Sequence, residues 1–193
     1  ASQKLSILRV VPTLQKEVEF SRISPDYVAQ QLCLMSKQHW DALSLYEFYE
    51  CDFGKEAAPN VTTFISHFNR LSGLTKHEIL QLEKPKLRAE MLGRFISIAQ
   101  ICLQLRNFSD AMAILAALQS TTIERLKQTW PLVNSELLER YEALKTLTHP
   151  KGNYKLLRAE YLNPESQDLP TVPFVGIIMG DAIFAAEIGD KME

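Results

Sequence analysis

The chain has 193 residues, with 21 basic and 23 acidic side chains, a formal charge of −2, and 46% hydrophobic against 23% charged residues. That is apolar material for one large folded domain, so disorder of the whole chain is excluded, and so is the wide basic field that sequence-independent nucleic-acid binding needs. Only 7 glycines are present, which argues against a Gly-rich phosphate cradle and against a turn-rich all-β fold.

Hydrophobic spacing is helical nearly throughout. Ser24-Pro25-Asp26 places a cap residue before a proline at the first helical position, and Val28 and Leu32 follow four apart. Pro59-Asn60 opens a second helix with Val61, Phe64, Ile65, Phe68 and Leu71 on one stripe. Thr75-Lys76-His77-Glu78 has capping-box spacing and predicts a further helix start. Lys84-Pro85 opens the longest segment, to about Arg106, whose apolar positions (Leu87, Met91, Leu92, Phe95, Ile98, Ala99, Ile101, Cys102, Leu105) are too many for one stripe. Such a helix is surrounded by others at the centre of the core.

Asn107-Phe108-Ser109-Asp110 reads as a turn and cap before Met112, Ile114, Leu115 and Leu118, and Thr121-x-x-Glu124 as a second capping box. Asn134-Ser135 introduces Leu137, Leu138, Tyr141 and Leu144, and His149-Pro150-Lys151-Gly152 ends that helix. A shorter helix carries Tyr154, Leu157 and Tyr161, then a Pro-containing loop runs from Asn163 to Pro173. The β-branched run Phe174–Met179 has no second strand to pair with, so it reads as the lead-in to a final helix beginning near Gly180-Asp181. The fold class is all-α, in one domain.

Chemical motifs are sparse. His39, His67, His77 and His149 form no H-E-x-x-H pair, and Cys33, Cys51 and Cys102 show no C-x-x-C spacing. The histidines read as surface or packing residues, and the cysteines as reduced residues of a cytosolic protein. No metal or cofactor is called for. There is no G-x-S-x-G elbow and no G-x-x-x-x-G-K-[ST] loop, so covalent catalysis and nucleotide binding by this chain both lack a carrier. No run supplies the roughly 18 continuous apolar residues of a membrane-spanning helix, and Ala1–Leu5 lacks a signal-peptide pattern.

A series of segments goes further. Asn107-Phe108-Ser109-Asp110-Ala111-Met112-Ala113-Ile114-Leu115-Ala116-Ala117-Leu118-Gln119-Ser120, followed by Ile123-x-Arg125-Leu126 and Thr129-Trp130, resembles the central signature of Ras-type guanine-nucleotide exchange factors. Phe68-Asn69-Arg70-Leu71-Ser72 resembles an earlier block of the same catalytic domain, and Asn153-Tyr154-Lys155 and Val172-Pro173-Phe174-Val175-Gly176 resemble two later ones. Ile23–Trp40 is similar to the family's opening helices. The blocks keep the family's order from about Ile23 to Glu187.

The resemblance implies an N-terminal extension over residues 1–20 and, over 21–193, a single orthogonal helical domain of the RasGEF type. Its helical hairpin would be incomplete at Glu193, because the family's domain continues through a second hairpin helix. The implied partner is a Ras-family small GTPase of Ras, Rap or Ral type, met in the cytoplasm or at membranes reached through other domains or the GTPase itself. By the same matching, Ile183 falls where the family inserts an apolar side chain into the GTPase's magnesium site, and Glu187 where it faces an acid to the phosphate site. Met112, Gln119, Glu124, Tyr154 and Phe174 fall on the grip of the second switch, with Ile65 and Asn69 beside it. No covalent step is implied. Gln119, Ser66, Gly180 and Glu124 depart from residues frequent in the family, and the rival expectation is a scaffold that keeps the fold and has lost exchange.

Overall fold

The computed structural model describes residues 20–49, 53, 56–163, 165 and 168–189. The extension expected over residues 1–20 lies, apart from Phe20, outside them. Nine α-helices occur among the described residues: α1 (Pro25–Asp41), α2 (Tyr46–Tyr49), α3 (Pro59–Leu80), α4 (Pro85–Gln104), α5 (Phe108–Leu118), α6 (Thr121–Glu124), α7 (Ser135–Leu147), α8 (Lys151–Tyr161) and α9 (Val175–Gly189). The all-α expectation holds. One isolated parallel bridge, Asn107 to Val172, is the β-type pairing found among the described residues. None of the described helices is long and apolar enough to cross a membrane.

Helix α4 takes the central place its composition predicts. Leu92, Phe95, Ile96, Ile98, Ala99 and Cys102 are fully or nearly fully buried, and α1, α3, α5 and α7 all pack on it. Ser24 caps α1 by accepting the Tyr27 N–H at 3.2 Å. Asn107 and Asn134 cap α5 and α7 in the same way, accepting from Asp110 N–H and Glu136 N–H.

Three local expectations change. Helix α3 runs unbroken through Thr75, whose buried hydroxyl donates back to the Leu71 carbonyl at 2.9 Å. Burial of Ile79 on the same stripe as Leu71 and Thr75 keeps the helix on the core, so local capping chemistry loses to packing. Ser120, not Thr121, is the residue preceding the short α6. The last helix begins at Val175, five residues before the expected start near Gly180, because Val175 and Ile177 bury on opposite sides of its first turn, in two separate apolar clusters of the domain body.

The helices that carry the site are locked together by a buried polar cluster. The Asp110 carboxylate, fully buried at the start of α5, accepts the Ser36 hydroxyl of α1 at 2.6 Å. It also accepts the Asn107 amide at 2.5 Å, and the His67 Nε2–H of α3 at 2.8 Å. The Ser36 oxygen lies 3.3 Å from the same imidazole nitrogen. A buried carboxylate is tolerated only when donors replace its water; here three helices supply them. Asp110→Ala leaves three donors unsatisfied and should destabilise the domain by about 3–5 kcal/mol, a loss that urea denaturation will measure.

Candidate functional site: an aromatic platform and a projecting helix

The polar cluster also sets where the last helix starts. Asn107 continues into a backbone exchange in which Phe108 N–H donates to Val172 C=O at 2.9 Å and Val172 N–H to Arg106 C=O at 3.0 Å. Arg106 has φ 57°, turning the chain sharply between α4 and α5, and its Nε donates to the Thr171 hydroxyl at 2.7 Å. Tyr161 then accepts the Phe174 N–H at 3.0 Å. Burial pushes the Tyr161 hydroxyl up to about 12, so it stays a neutral phenol at physiological pH. The residues leading into α9 are thus bonded on both sides.

Phe174 sits between two rings, 5.7 Å from Phe68 of α3 and 5.8 Å, edge to face, from Tyr154 of α8. Met112, Tyr154 and Phe174 pack together on the cluster of Phe108, Leu157 and Ile177. Three of the residues expected to grip the GTPase are therefore brought into one half-buried platform. Ile65 is half-buried on the neighbouring cluster of Phe64, Val172 and Val175, and Asn69 is exposed four residues on. Gln119 is exposed just past the other end of α5, about 10 Å along the helix from Met112 at 1.5 Å per residue, and Glu124 is exposed at the end of α6.

Tyr154 reaches the platform through an unusual backbone. Gly152, Asn153 and Tyr154 all have left-handed angles, with φ of 66°, 55° and 58°. Three such residues in succession are costly outside glycine. Arg158 closes the turn by donating Nε–H to the Asn153 carbonyl at 2.8 Å, and its two terminal nitrogens bind the Asp181 carboxylate of α9 at 2.8 and 2.6 Å. The Arg158 guanidinium holds the Asp181 carboxyl below the usual carboxylate range, against a smaller opposing effect of burial.

Past Asp181, helix α9 leaves the body. Every side chain from Ile183 to Ile188 is exposed, with Ile183 at 42%, Phe184 at 64% and Ile188 at 44%. Ile183 and Glu187, four residues apart, share one face of that projecting half.

The RasGEF domain profile matches residues 27–192. The chain belongs to the RasGEF domain family. It is 34% identical over 167 residues to the mouse Ras-specific guanine nucleotide-releasing factor RalGPS1, covering 84% of this chain and 28% of that protein. It is 35% identical over 163 residues to the Ras guanine nucleotide exchange factor C of Dictyostelium discoideum, covering 84% of this chain and 11% of that protein. Budding-yeast cell division control protein 25 is 32% identical over 174 residues, covering 88% of this chain and 11% of its own length. The RasGEF chain thus spans less than a third of the length of each of these relatives.

Several supporting residues escaped the reading by spacing. Glu47 of α2 accepts Asn60 N–H at 2.8 Å, Val61 N–H at 2.9 Å and the Asn60 amide at 2.7 Å, capping α3 where Ala58 has no side chain to do so. Burial pushes its carboxyl up, but these donors outweigh it and hold it below the usual range. No local pattern announces a cap supplied from thirteen residues away. His67 and Asp110 were legible as polar residues among apolar neighbours, not as partners. Among the described residues, no group of three or more His, Cys, Asp or Glu side chains is placed to hold a metal ion.

Two outcomes follow from this geometry. Gly152→Ala forces a Cβ into a left-handed position and should lower stability by about 1 kcal/mol in thermal or urea unfolding. Because the folded Asp181 value is depressed, its contribution is fully present above the ordinary aspartate value of about 3.9 and disappears as pH falls through the lower folded value. The urea midpoints of wild type and Asp181→Asn should therefore differ by a constant amount near neutral pH and converge in acid.

Proposed function

We propose that this domain accelerates GDP release from a Ras-family small GTPase, holding the second switch on the Met112/Tyr154/Phe174 platform. Helix α9 enters between the first switch and the phosphate-binding loop. The observation that carries this reading is the exposed Ile183/Glu187 face on a helix that leaves the body beside that platform. The relatives named as releasing and exchange factors support it. Domain limits of 21–193, a GTPase of Ras, Rap or Ral type and a cytoplasmic or membrane-recruited setting complete the proposal.

The chemistry is competitive rather than covalent. Ile183 offers no oxygen to a hydrated magnesium ion and fills its space, while the Glu187 carboxylate occupies the donors that bind nucleotide phosphate. Both contacts are available only once nucleotide and metal have moved away. The domain therefore binds the nucleotide-free GTPase more tightly than the loaded one, and that difference lowers the barrier to release. Gln119, Glu124 and Asn69 extend the contact around the platform with exposed polar groups that select among GTPases, and Ile65 adds a half-buried apolar edge.

Release of a fluorescent GDP analogue from Ras-, Rap- and Ral-type GTPases tests the proposal. Ile183→Ala and Glu187→Ala should slow release at least about tenfold, as displaced transition-state contacts do. Both side chains are exposed, so the melting temperatures should stay near wild type. Tyr154→Ala should weaken binding to nucleotide-free GTPase by roughly 1–3 kcal/mol. Phe174→Ala should do the same and also lose stability, because its ring is packed on both sides. Binding without release by the wild-type chain would return the domain to the scaffold reading.

A further inference from the structure

Arg158 of α8 has no part in the GTPase contacts proposed above, yet it is the side chain that joins the left-handed turn to the projecting helix. One guanidinium head binds the Asn153 carbonyl and both oxygens of Asp181. We propose that Arg158 is a positioning residue for nucleotide exchange: through Asp181 it fixes the angle at which α9 presents Ile183 and Glu187. This rests on the wedge reading of α9 and adds to it the group that aims the wedge.

The position of the bond along α9 supports this role. Val175, Ile177 and the half-buried Met179 anchor the start of α9, with α2 packed against it, and continuous exposure begins at Ile183. Glu187 lies eight residues beyond Met179, far enough for the helix end to swing like a lever. The Asp181 bond pins the helix two residues beyond Met179, at the edge of the exposed half. Residues in an α-helix are spaced at roughly 100°, so Ile183 and Glu187 lie roughly 200° and 240° around from Asp181. Arg158 thus grips the back of the helix and leaves the front clear.

The form of the bond supports the role as well. Exposed ion pairs add little to stability. A bidentate guanidinium–carboxylate pair, by contrast, fixes direction as well as distance. The third bond, to the Asn153 carbonyl, prevents the arginine from following α9 if the helix moves. The same head therefore refers the wedge to the turn that places Tyr154, and wedge and platform keep one relative orientation. Reacting contacts need placement to about 0.5 Å, which a lever without this pin does not give.

The test compares wild type, Asp181→Ala, Arg158→Lys and the double exchange Arg158→Asp/Asp181→Arg in the full 193-residue chain. Release of a fluorescent GDP analogue is titrated with each variant, and hydrogen–deuterium exchange is followed over residues 182–189 and over α5. In Asp181→Ala and Arg158→Lys the maximal release rate should fall about tenfold or more, with half-saturation shifted by less than about twofold. The double exchange should recover part of the rate. Amides of 182–189 should exchange faster in Asp181→Ala, and those of α5 should not change.

An unaltered maximal rate in Asp181→Ala overturns the proposal, as does a loss carried entirely by half-saturation. A double exchange no better than the single variants overturns it too. Should wild type release nucleotide from no Ras-family GTPase, the wedge reading fails by itself. The exchange data then decide the tether alone: faster exchange over 182–189 in Asp181→Ala supports it, and unchanged exchange removes it.

Discussion

The buried carboxylate of Asp110 is the constraint on which the other parts rest. It is fully enclosed, and it takes donors from α1, α3 and its own cap residue. Because an unpaired charge there is so unfavourable, the three elements can approach only in the arrangement that supplies all the donors. Packing of α4 against its neighbours fills the space, but apolar contacts are tolerant of small shifts. The polar cluster removes that tolerance at the start of α5. From there the order passes through Asn107 to Val172, and on to Phe174 and α9.

The domain therefore joins a rigid seat to an exposed, projecting helix that can act as a lever. Phe174 belongs to the seat: its ring lies between Phe68 and Tyr154, and its N–H is held by a half-buried phenol. The outer half of α9 belongs to the lever, with apolar side chains left in water. An exposed apolar patch beside a polar residue marks an interaction surface on a soluble domain. Family membership supports the proposal that this surface meets a GTPase, and the geometry says which of its residues are exposed.

Much of this order is legible in the amino-acid sequence. Pro25, Pro59 and Pro85 open helices where expected, Asn107 and Asn134 cap theirs, and the crowded apolar pattern of residues 87–105 marks the central helix. Thr75 misleads because its hydroxyl can bond the preceding turn as readily as it can cap a new one. The start of α9 is missed because Phe174–Met179 is apolar on all sides, and periodicity cannot separate a buried strand from a buried helical turn. Pairings between distant residues, such as Glu47 with the start of α3 or Arg158 with Asp181, leave no mark in local spacing. The proposed wedge and grip residues were reached only through resemblance, since no single one of them carries a chemical signature.

The left-handed turn at Gly152–Tyr154 has a thermodynamic consequence. Its backbone occupies a conformation that a tyrosine rarely adopts, and Arg158 and the burial of Leu157 hold it there. The Tyr154 ring is consequently already immobilised against Phe174 before any partner arrives. A free surface aromatic loses rotamer entropy when it docks, at about 0.5–1.5 kcal/mol per side chain. Here that entropy is surrendered during folding. The strain weakens the domain slightly, and on the proposed grip an association through Tyr154 would lose less freedom than one through a loop-borne tyrosine.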